Sequence, residues 1–327
     1  MEPLVETIGL GLDYRTGGLF RGPGGRGGKF RAVDWVSLKI YPGQTLGLVG
    51  ESGSGKSTIG RLLLRLIPPS RGRVYFAGRD LETLRPRELR GLRRRMQIIF
   101  QDPYSSLNPR FTVGWTLAEP LRVHLGLRGA ELKAGVARLL ETVGLSAEDA
   151  RRFPHQFSGG QRQRIAIARA VSVEPGFVVA DEPVSALDLS VQGQIIRLLM
   201  KLKKNLGMAM LFISHDLSVV RSVAGQVAVM YAGSVVELAE ADRLFEAPRH
   251  PYTRLLLDSV LRADPGQGPA ARAGREPVRE QEGKGSGSGC PFEPRCSLGS
   301  LRCRQIKPEL LECTTGHWAA CHCLGNE

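Results

Sequence analysis

The sequence predicts an α/β fold: a mixed sheet flanked by helices, with a helical subdomain inserted in it and a small cysteine-rich extension at the C-terminus. Three observations predict this. Short, continuous apolar runs at Thr45–Val49, Gln97–Phe100, Phe177–Ala180 and Met210–Ile213 suit strands covered on both faces, as in parallel sheets. The first of these runs leads through glycines into an apolar-periodic helix, Thr58–Leu66, which is the order strand, loop, helix. The long interval between the second and third runs, from about Val113 to Arg169, carries helical periodicity.

In chain order, Leu4–Tyr14 is a strand candidate, and Gly17–Lys29, rich in glycine and arginine, is predicted as a mobile loop. Val36–Ile40 alternates apolar and polar residues, as a half-buried strand does. The basic run Arg90–Arg95 is predicted as a solvated helix face, with anionic lipid headgroups as the other reading. Ala130–Val143 predicts a helix stopped by Gly144. After Pro251 the composition shifts, and Ala263–Gly289 has the Gly, Pro, Ala and charge content of a flexible linker. The expected organisation is a sheet domain over 1–250 with the helical subdomain inserted at about 102–160, a helix and linker over 251–289, and a cysteine-rich segment over 290–327. No internal repeat occurs, so one such sheet domain is expected, not a tandem pair.

The chain of 327 residues, 42% apolar and 24% charged, has the composition of a globular protein large enough for one α/β core with accessories. No run of about 18 apolar residues is present to span a bilayer. The start, Met1-Glu2-Pro3-Leu4, has no basic region followed by an apolar stretch, so a cytosolic location is expected. The net charge of +13 comes from 45 Lys and Arg against 32 Asp and Glu. It is read mainly as a solvated basic surface. Without aromatic residues interleaved among the basic ones, no nucleic-acid partner is predicted.

Gly50-Glu51-Ser52-Gly53-Ser54-Gly55-Lys56-Ser57 fits G-x-x-x-x-G-K-[ST], the Walker A pattern. Glycines let the backbone curl so that its N–H groups point at phosphate oxygens, and the helix that follows turns its positive end the same way. Gly50, Ser52, Gly53, Ser54, Gly55, Lys56, Ser57 and Thr58 are therefore the candidate triphosphate cradle. Lys56 is expected on the β- and γ-phosphates, and the Ser57 hydroxyl on Mg²⁺. The buried run Phe177–Ala180 delivers Asp181 and Glu182 at its C-terminal end, where ligands of α/β sheets bind. Asp181 is expected to hold Mg²⁺ through water, and Glu182 to act as general base toward the attacking water. The expected cofactors are thus ATP and Mg²⁺.

Ser158-Gly159-Gly160-Gln161, with Phe157 before it and an apolar-faced helix after it, resembles the signature motif of ABC ATPases. Its physical logic is a helix N-terminus of small residues able to approach a phosphate closely. The resemblance implies that this phosphate belongs to ATP on a partner subunit. Phe100-Gln101-Asp102-Pro103 resembles the Q-loop and places Gln101 near Mg²⁺ and the attacking water. Ser185-Ala186-Leu187-Asp188 resembles the D-loop, which communicates across a dimer. Ile213-Ser214-His215-Asp216 resembles the switch motif, with His215 contacting the γ-phosphate. For the aromatic that stacks on adenine, Tyr14 is the choice and Phe30 the rival.

Within that superfamily, His155–Gln161, Asp102–Pro109, His250-Pro251-Tyr252-Thr253 and the tail Gly289-Cys290-Pro291-Phe292 resemble the ATPase subunits of oligopeptide and dipeptide importers, a branch that also contains nickel and glutathione importers. The resemblance implies a peripheral ATPase at the cytoplasmic face of the membrane. Its partners would be a paralogous ATPase subunit meeting it head to tail, two transmembrane permease subunits and, indirectly, a substrate-binding protein. A soluble, non-transport ABC ATPase is the alternative outside the branch. All six cysteines lie between Cys290 and Cys323. Clustered thiolates in a cytosolic chain point to zinc or an iron–sulfur cluster before disulfides. The resemblance implies a [4Fe–4S] cluster on Cys290, Cys296, Cys303 and Cys321, with Cys323 a competitor for the last position.

Overall fold

The computed structural model describes residues 1–16, 28–261 and 289–324. Most of the predicted glycine–arginine loop and all but the last residue of the predicted linker lie outside the described residues.

From the N-terminus run β1 (Val5–Thr16), β2 (Gly28–Val36), β3 (Lys39–Ile40), β4 (Thr45–Val49), α1 (Lys56–Leu63), β5 (Arg71–Phe76), β6 (Arg79–Asp80), α2 (Pro86–Arg93) and β7 (Met96–Ile99). A helical block follows, made of α3 (Pro103–Ser106), α4 (Val113–Leu125), α5 (Gly129–Thr142) and α6 (Gly159–Val171). The remainder is β8 (Phe177–Asp181), α7 (Leu189–Leu206), β9 (Ala209–Ile213), α8 (Leu217–Val223), β10 (Gln226–Tyr231), β11 (Ser234–Glu240), α9 (Ala241–Glu246), α10 (Pro251–Leu261), α11 (Leu301–Gln305), β12 (Leu311–Thr314) and β13 (His317–Ala319).

The chain divides into two compact units, one of residues 1–10, 37–46 and 57–214, the other of residues 11–36, 47–56 and 215–327. In the first, β7, β8 and β9 are parallel and in register, with Ile98 opposite Val179 and Val179 opposite Leu211. Every residue of β8 and β9 is buried, which is why their sequences are continuously apolar rather than alternating. α5 stops at a left-handed Gly144, as the pattern predicts. The predicted strand Val36–Ile40 keeps its alternation of burial but is not one strand. β2 ends at Val36 and β3 begins at Lys39. Between them, side chains replace ladder bonds: Gly9 N–H donates to Ser37 Oγ, and Leu38 N–H to Thr7 Oγ1 at 2.8 Å. The helix predicted over Thr58–Leu66 runs instead from Lys56 to Leu63, because Arg65 is left-handed and Pro68-Pro69 follow.

In the second unit, β10 and β11 form an antiparallel pair, and β13 and β12 extend it on the β11 side, with Leu238 opposite Trp318. The cysteine segment is therefore not a loose tail. Phe292 is buried in an aromatic cluster with Tyr231, Tyr252 and His250, ring centroids 5.3–5.7 Å from its own. Among the described residues, no helix is long and apolar enough to cross a membrane.

Candidate functional site

The glycine loop follows β4 and opens α1. Its backbone geometry requires glycine at two points. Gly50 has φ +151°, and a Cβ there would sit 2.1 Å from the Met230 carbonyl oxygen. Gly55 has φ +103°, and its Cβ would sit 2.4 Å from the Ala32 carbonyl oxygen. Both contacts are impossible for an L side chain, so the loop is pressed against β2 and β10 with no room for another residue. Lys56 is 4% exposed and folds back on the loop, its ammonium donating to the Gly50 and Glu51 carbonyls at 2.8 Å each. Those carbonyls hold the charge within the loop. Ser54 is buried, while Ser52 and Gly53 are exposed at the crest, so the amide-rich rim faces outward.

Ser57, the next residue, belongs to the other unit. There its hydroxyl donates to Asp181 Oδ1 at 2.8 Å. Thr58 continues α1. A hydroxyl oxygen and a carboxylate oxygen this close are the hard donors that Mg²⁺ takes, so the pair fits that ion. Asp181 is 3% exposed at the end of β8. Glu182 follows it with φ +44°, a conformation that costs a non-glycine residue free energy and turns its side chain out of the strand. The strain is held by Glu182 N–H donating to the Ile213 carbonyl at 3.0 Å and by Ser185 donating from both N–H and hydroxyl to the Glu182 carbonyl. Gln101 Nε2 donates to Glu182 Oε2 at 2.9 Å, joining two residues 81 positions apart.

In the same unit, Ser158 caps α6. Its hydroxyl accepts from Gln161 N–H at 3.3 Å, and Gln161 Oε1 accepts from Ser158 N–H at 3.0 Å, a reciprocal capping box. Gly159 and Gly160 lie against Leu187 and Val191, where a Cβ on Gly160 would be 2.6 Å from Val191 Cγ1. The signature helix tip is thus packed beside Asp188, the N-cap of α7. Arg162 joins α6 to the Q-loop side: it donates to the Pro154 carbonyl at 2.7 Å and lies 3.9 Å over the Tyr104 ring. In the second unit, His215 is exposed one residue before Asp216, whose carboxylate caps α8. Tyr14 and Phe30 are both exposed, 41% and 54%, so each is available to a flat ligand.

The six cysteines are unbridged. Burial pushes the Cys321 thiol up to about 11 and also raises Cys290 and Cys296, and neighbouring thiols push each of the three further. Soft sulfur donors are chemically suited to an iron–sulfur cluster. Among the described residues, no group of three or more His, Cys, Asp or Glu side chains is arranged to hold a metal ion.

Sequence reasoning did not single out Glu51 within the loop, nor Arg295, which pairs with it at 2.8 and 2.9 Å. It also missed Glu237, a fully buried carboxylate that accepts from Arg249 and His250 N–H and hydrogen-bonds His317 at 2.7 Å. The available signal was the phrase His250-Pro251-Tyr252-Thr253, a polar run whose residues, apart from the half-buried Pro251, are almost wholly buried.

A glycine loop of Walker A pattern that opens α1 puts the chain in the P-loop ATPase class. Residues 33–185 match the ABC transporter family, and residues 236–303 match the oligopeptide/dipeptide transporter C-terminal region. A relative from Brucella ovis, named for peptide import and ATP binding, is 45% identical over 98% of this chain and 97% of its own length. Another from Sinorhizobium fredii, named as a peptide ABC transporter ATP-binding protein, is 50% identical over 89% of this chain and 82% of its own. Among solved structures, the dimeric ATP-binding cassette MJ0796 bound to ADP and Pi shares 30% identity at TM-score 0.63, covering 72% of this chain and 98% of that one. The CbiO1 subunit of a Clostridium perfringens transporter shares 25% identity at the same TM-score, covering 76% and 92%. The chain belongs to the ABC transporter ATP-binding subunits, in the oligopeptide/dipeptide branch.

Proposed function

We propose that the protein hydrolyses ATP to drive uptake of oligopeptides or dipeptides through a membrane permease. The observation that carries the chemistry is the pairing of Gln101 with a strained, strand-end Glu182, next to an Asp181 already bonded to Ser57. In the reading this supports, the loop amides and Lys56 take the β- and γ-phosphates, and Ser57 and Asp181 hold Mg²⁺, which neutralises phosphate charge. Glu182 accepts the proton of the attacking water, Gln101 orients that water, and His215 meets the γ-phosphate. Tyr14 stacks on adenine.

The signature residues Ser158–Gln161, with Asp188, complete the ATP site of a paralogous subunit joined head to tail. The pair drives two permease subunits from the cytoplasmic face, and a substrate-binding protein delivers the peptide. The corresponding division of the chain is an ATPase domain over 1–250 with its helical insert at about 102–160, a helix and linker over 251–289 and the cysteine segment over 290–327. Nickel or glutathione is the cargo of the second reading within the branch. A [4Fe–4S] cluster on Cys290, Cys296, Cys303 and Cys321 is a separate proposal, supported by the mutual influence of these thiols and measured as iron and acid-labile sulfide in anaerobically purified protein.

The deciding experiment is Glu182→Gln. It should bind MgATP with near-normal affinity and lose hydrolysis by about 10²- to 10⁴-fold, the usual span for a general base. Turnover within a few-fold of the unaltered protein would remove Glu182 from that role.

A further inference from the structure

We propose that the cysteine-rich tail is a positioning device for the nucleotide loop, acting through Arg295 on Glu51. Glu51 is the second residue of the Walker A loop, and every polar part of it is held. Its carbonyl accepts from Lys56 at 2.8 Å, its N–H donates to Tyr252 Oη at 2.8 Å, and its carboxylate takes both terminal nitrogens of Arg295, at 2.8 and 2.9 Å. A two-point guanidinium–carboxylate contact fixes orientation as well as distance. Arg295 cannot swing away freely, because Phe292, three residues before it, is 1% exposed between Tyr231, Tyr252 and His250. The guanidinium also lies 5.7 Å over the Tyr231 ring.

The segment around Arg295 is closed on itself. Cys290 N–H donates to the Cys303 carbonyl at 2.7 Å, and Arg304 pairs with Glu293 at 2.8 Å. A second anchor stands further along, where Lys307 reaches Asp34 and the Ser234 hydroxyl. Asp34 N–H in turn donates to the Gly233 carbonyl, and Gly233 N–H to the Ser54 carbonyl, so this anchor also ends on the nucleotide loop. Two attachments from one C-terminal segment thus converge on residues 51 and 54, on either side of the crest that faces the phosphates.

The consequence is a linkage between tail docking and nucleotide affinity. Lys56 must leave the Gly50 and Glu51 carbonyls to meet phosphate, and a loop whose Glu51 is pinned keeps its shape when that happens. If the docked tail favours the binding-competent loop, bound nucleotide must favour the docked tail by the same factor. Arg295 touches neither phosphate nor metal in this scheme, so it is a positioning residue. The inference rests on the assignment of the loop as the ATP cradle.

The test uses the full chain, with trinitrophenyl-ATP and Mg²⁺ as probe. Arg295→Ala and Glu51→Gln should each weaken affinity by about two- to fivefold, in keeping with a partly exposed charged pair. Single-turnover hydrolysis at saturation in Arg295→Ala should stay within about twofold of the unaltered rate, because the reacting groups are untouched. The exchanged pair Glu51→Arg with Arg295→Glu should regain most of the affinity lost in either reversal alone. Hydrogen exchange over residues 290–303 should slow on adding MgATP in the unaltered chain and not in Arg295→Ala. Unchanged affinity in Arg295→Ala and Glu51→Gln, or exchange in 290–303 indifferent to nucleotide, overturns the proposal. Should Arg295→Ala fail to fold, judged by its melting curve without nucleotide, Glu51→Gln and the exchanged pair decide it alone. Lys56→Ala separates the two ideas. If it binds nucleotide normally, the cradle assignment itself is wrong; if it loses binding while Arg295→Ala does not, only the tail's role is.

Discussion

Lowering the pH from 7.5 to 5 should destabilise the protein through one residue, His250. Its ring is 1% exposed, and Nδ1 accepts the N–H of Tyr252 at 3.1 Å, so this nitrogen has no room for a proton of its own. Burial brings its pKa down from the ordinary 6.5 to about 4, and the nearby Glu237 carboxylate offsets only part of that. A histidine depressed in the folded state is protonated first in the unfolded chain. Between pH 6.5 and 4 the unfolded state therefore binds more protons, so stability is present above this window and lost as pH falls through it. At pH 5 the difference amounts to ~2 kcal/mol from this one side chain, rising toward ~3 kcal/mol below pH 4.

Glu237 adds a loss of the same sign further down. Its hydrogen bonds from His317, Arg249 and His250 outweigh burial and hold it below the usual carboxylate range, so its stabilisation vanishes as it protonates. The assay is urea unfolding followed at several pH values for the natural chain and for His250→Asn, which keeps a local acceptor but cannot titrate. The variant should be less stable at pH 7.5 and should lose ~2 kcal/mol less than the natural chain on going to pH 5. Parallel pH slopes in the two proteins would refute the assignment, because the proton uptake would then lie elsewhere.

Two further expectations concern the loop and the metal. Gly50→Ala places a Cβ where the Met230 carbonyl stands, at a φ that L residues avoid, so it should abolish nucleotide binding and cost about 1–3 kcal/mol of stability; a titration with labelled ATP and a melting curve check both. Ser57→Ala removes the hydroxyl that meets Asp181, so the Mg²⁺ concentration needed for half-maximal hydrolysis should rise by about tenfold or more, while metal-free nucleotide binding is kept.

Much of the candidate site was legible in the sequence because the chemistry it suits needs residue types at short, fixed spacings. A lysine and a hydroxyl residue at the end of a glycine loop, or two acids at the end of a buried strand, are local facts. β8 and β9 were legible for the same reason, since burial on both faces leaves a continuous apolar run. The break between β2 and β3 was not, because the alternation of burial continues through it and only the Ser37 and Thr7 side-chain hydrogen bonds interrupt the ladder.

By itself, then, the sequence determined that the chain is an ATP-binding subunit of the ABC family, because a phosphate cradle is built from consecutive backbone amides and so leaves a local pattern. It also determined the branch of the family, through phrases of a few residues each. Only the tertiary structure decided that Glu182 is held left-handed by Ile213 and Ser185, that Gln101 reaches it, and that Glu51 belongs to Arg295. These contacts join positions far apart in the chain, up to 244 residues for the last, and side-chain type alone does not say which of many acids an arginine will meet. That choice is made by the burial of Phe292 and Tyr252, which fixes where the tail lies.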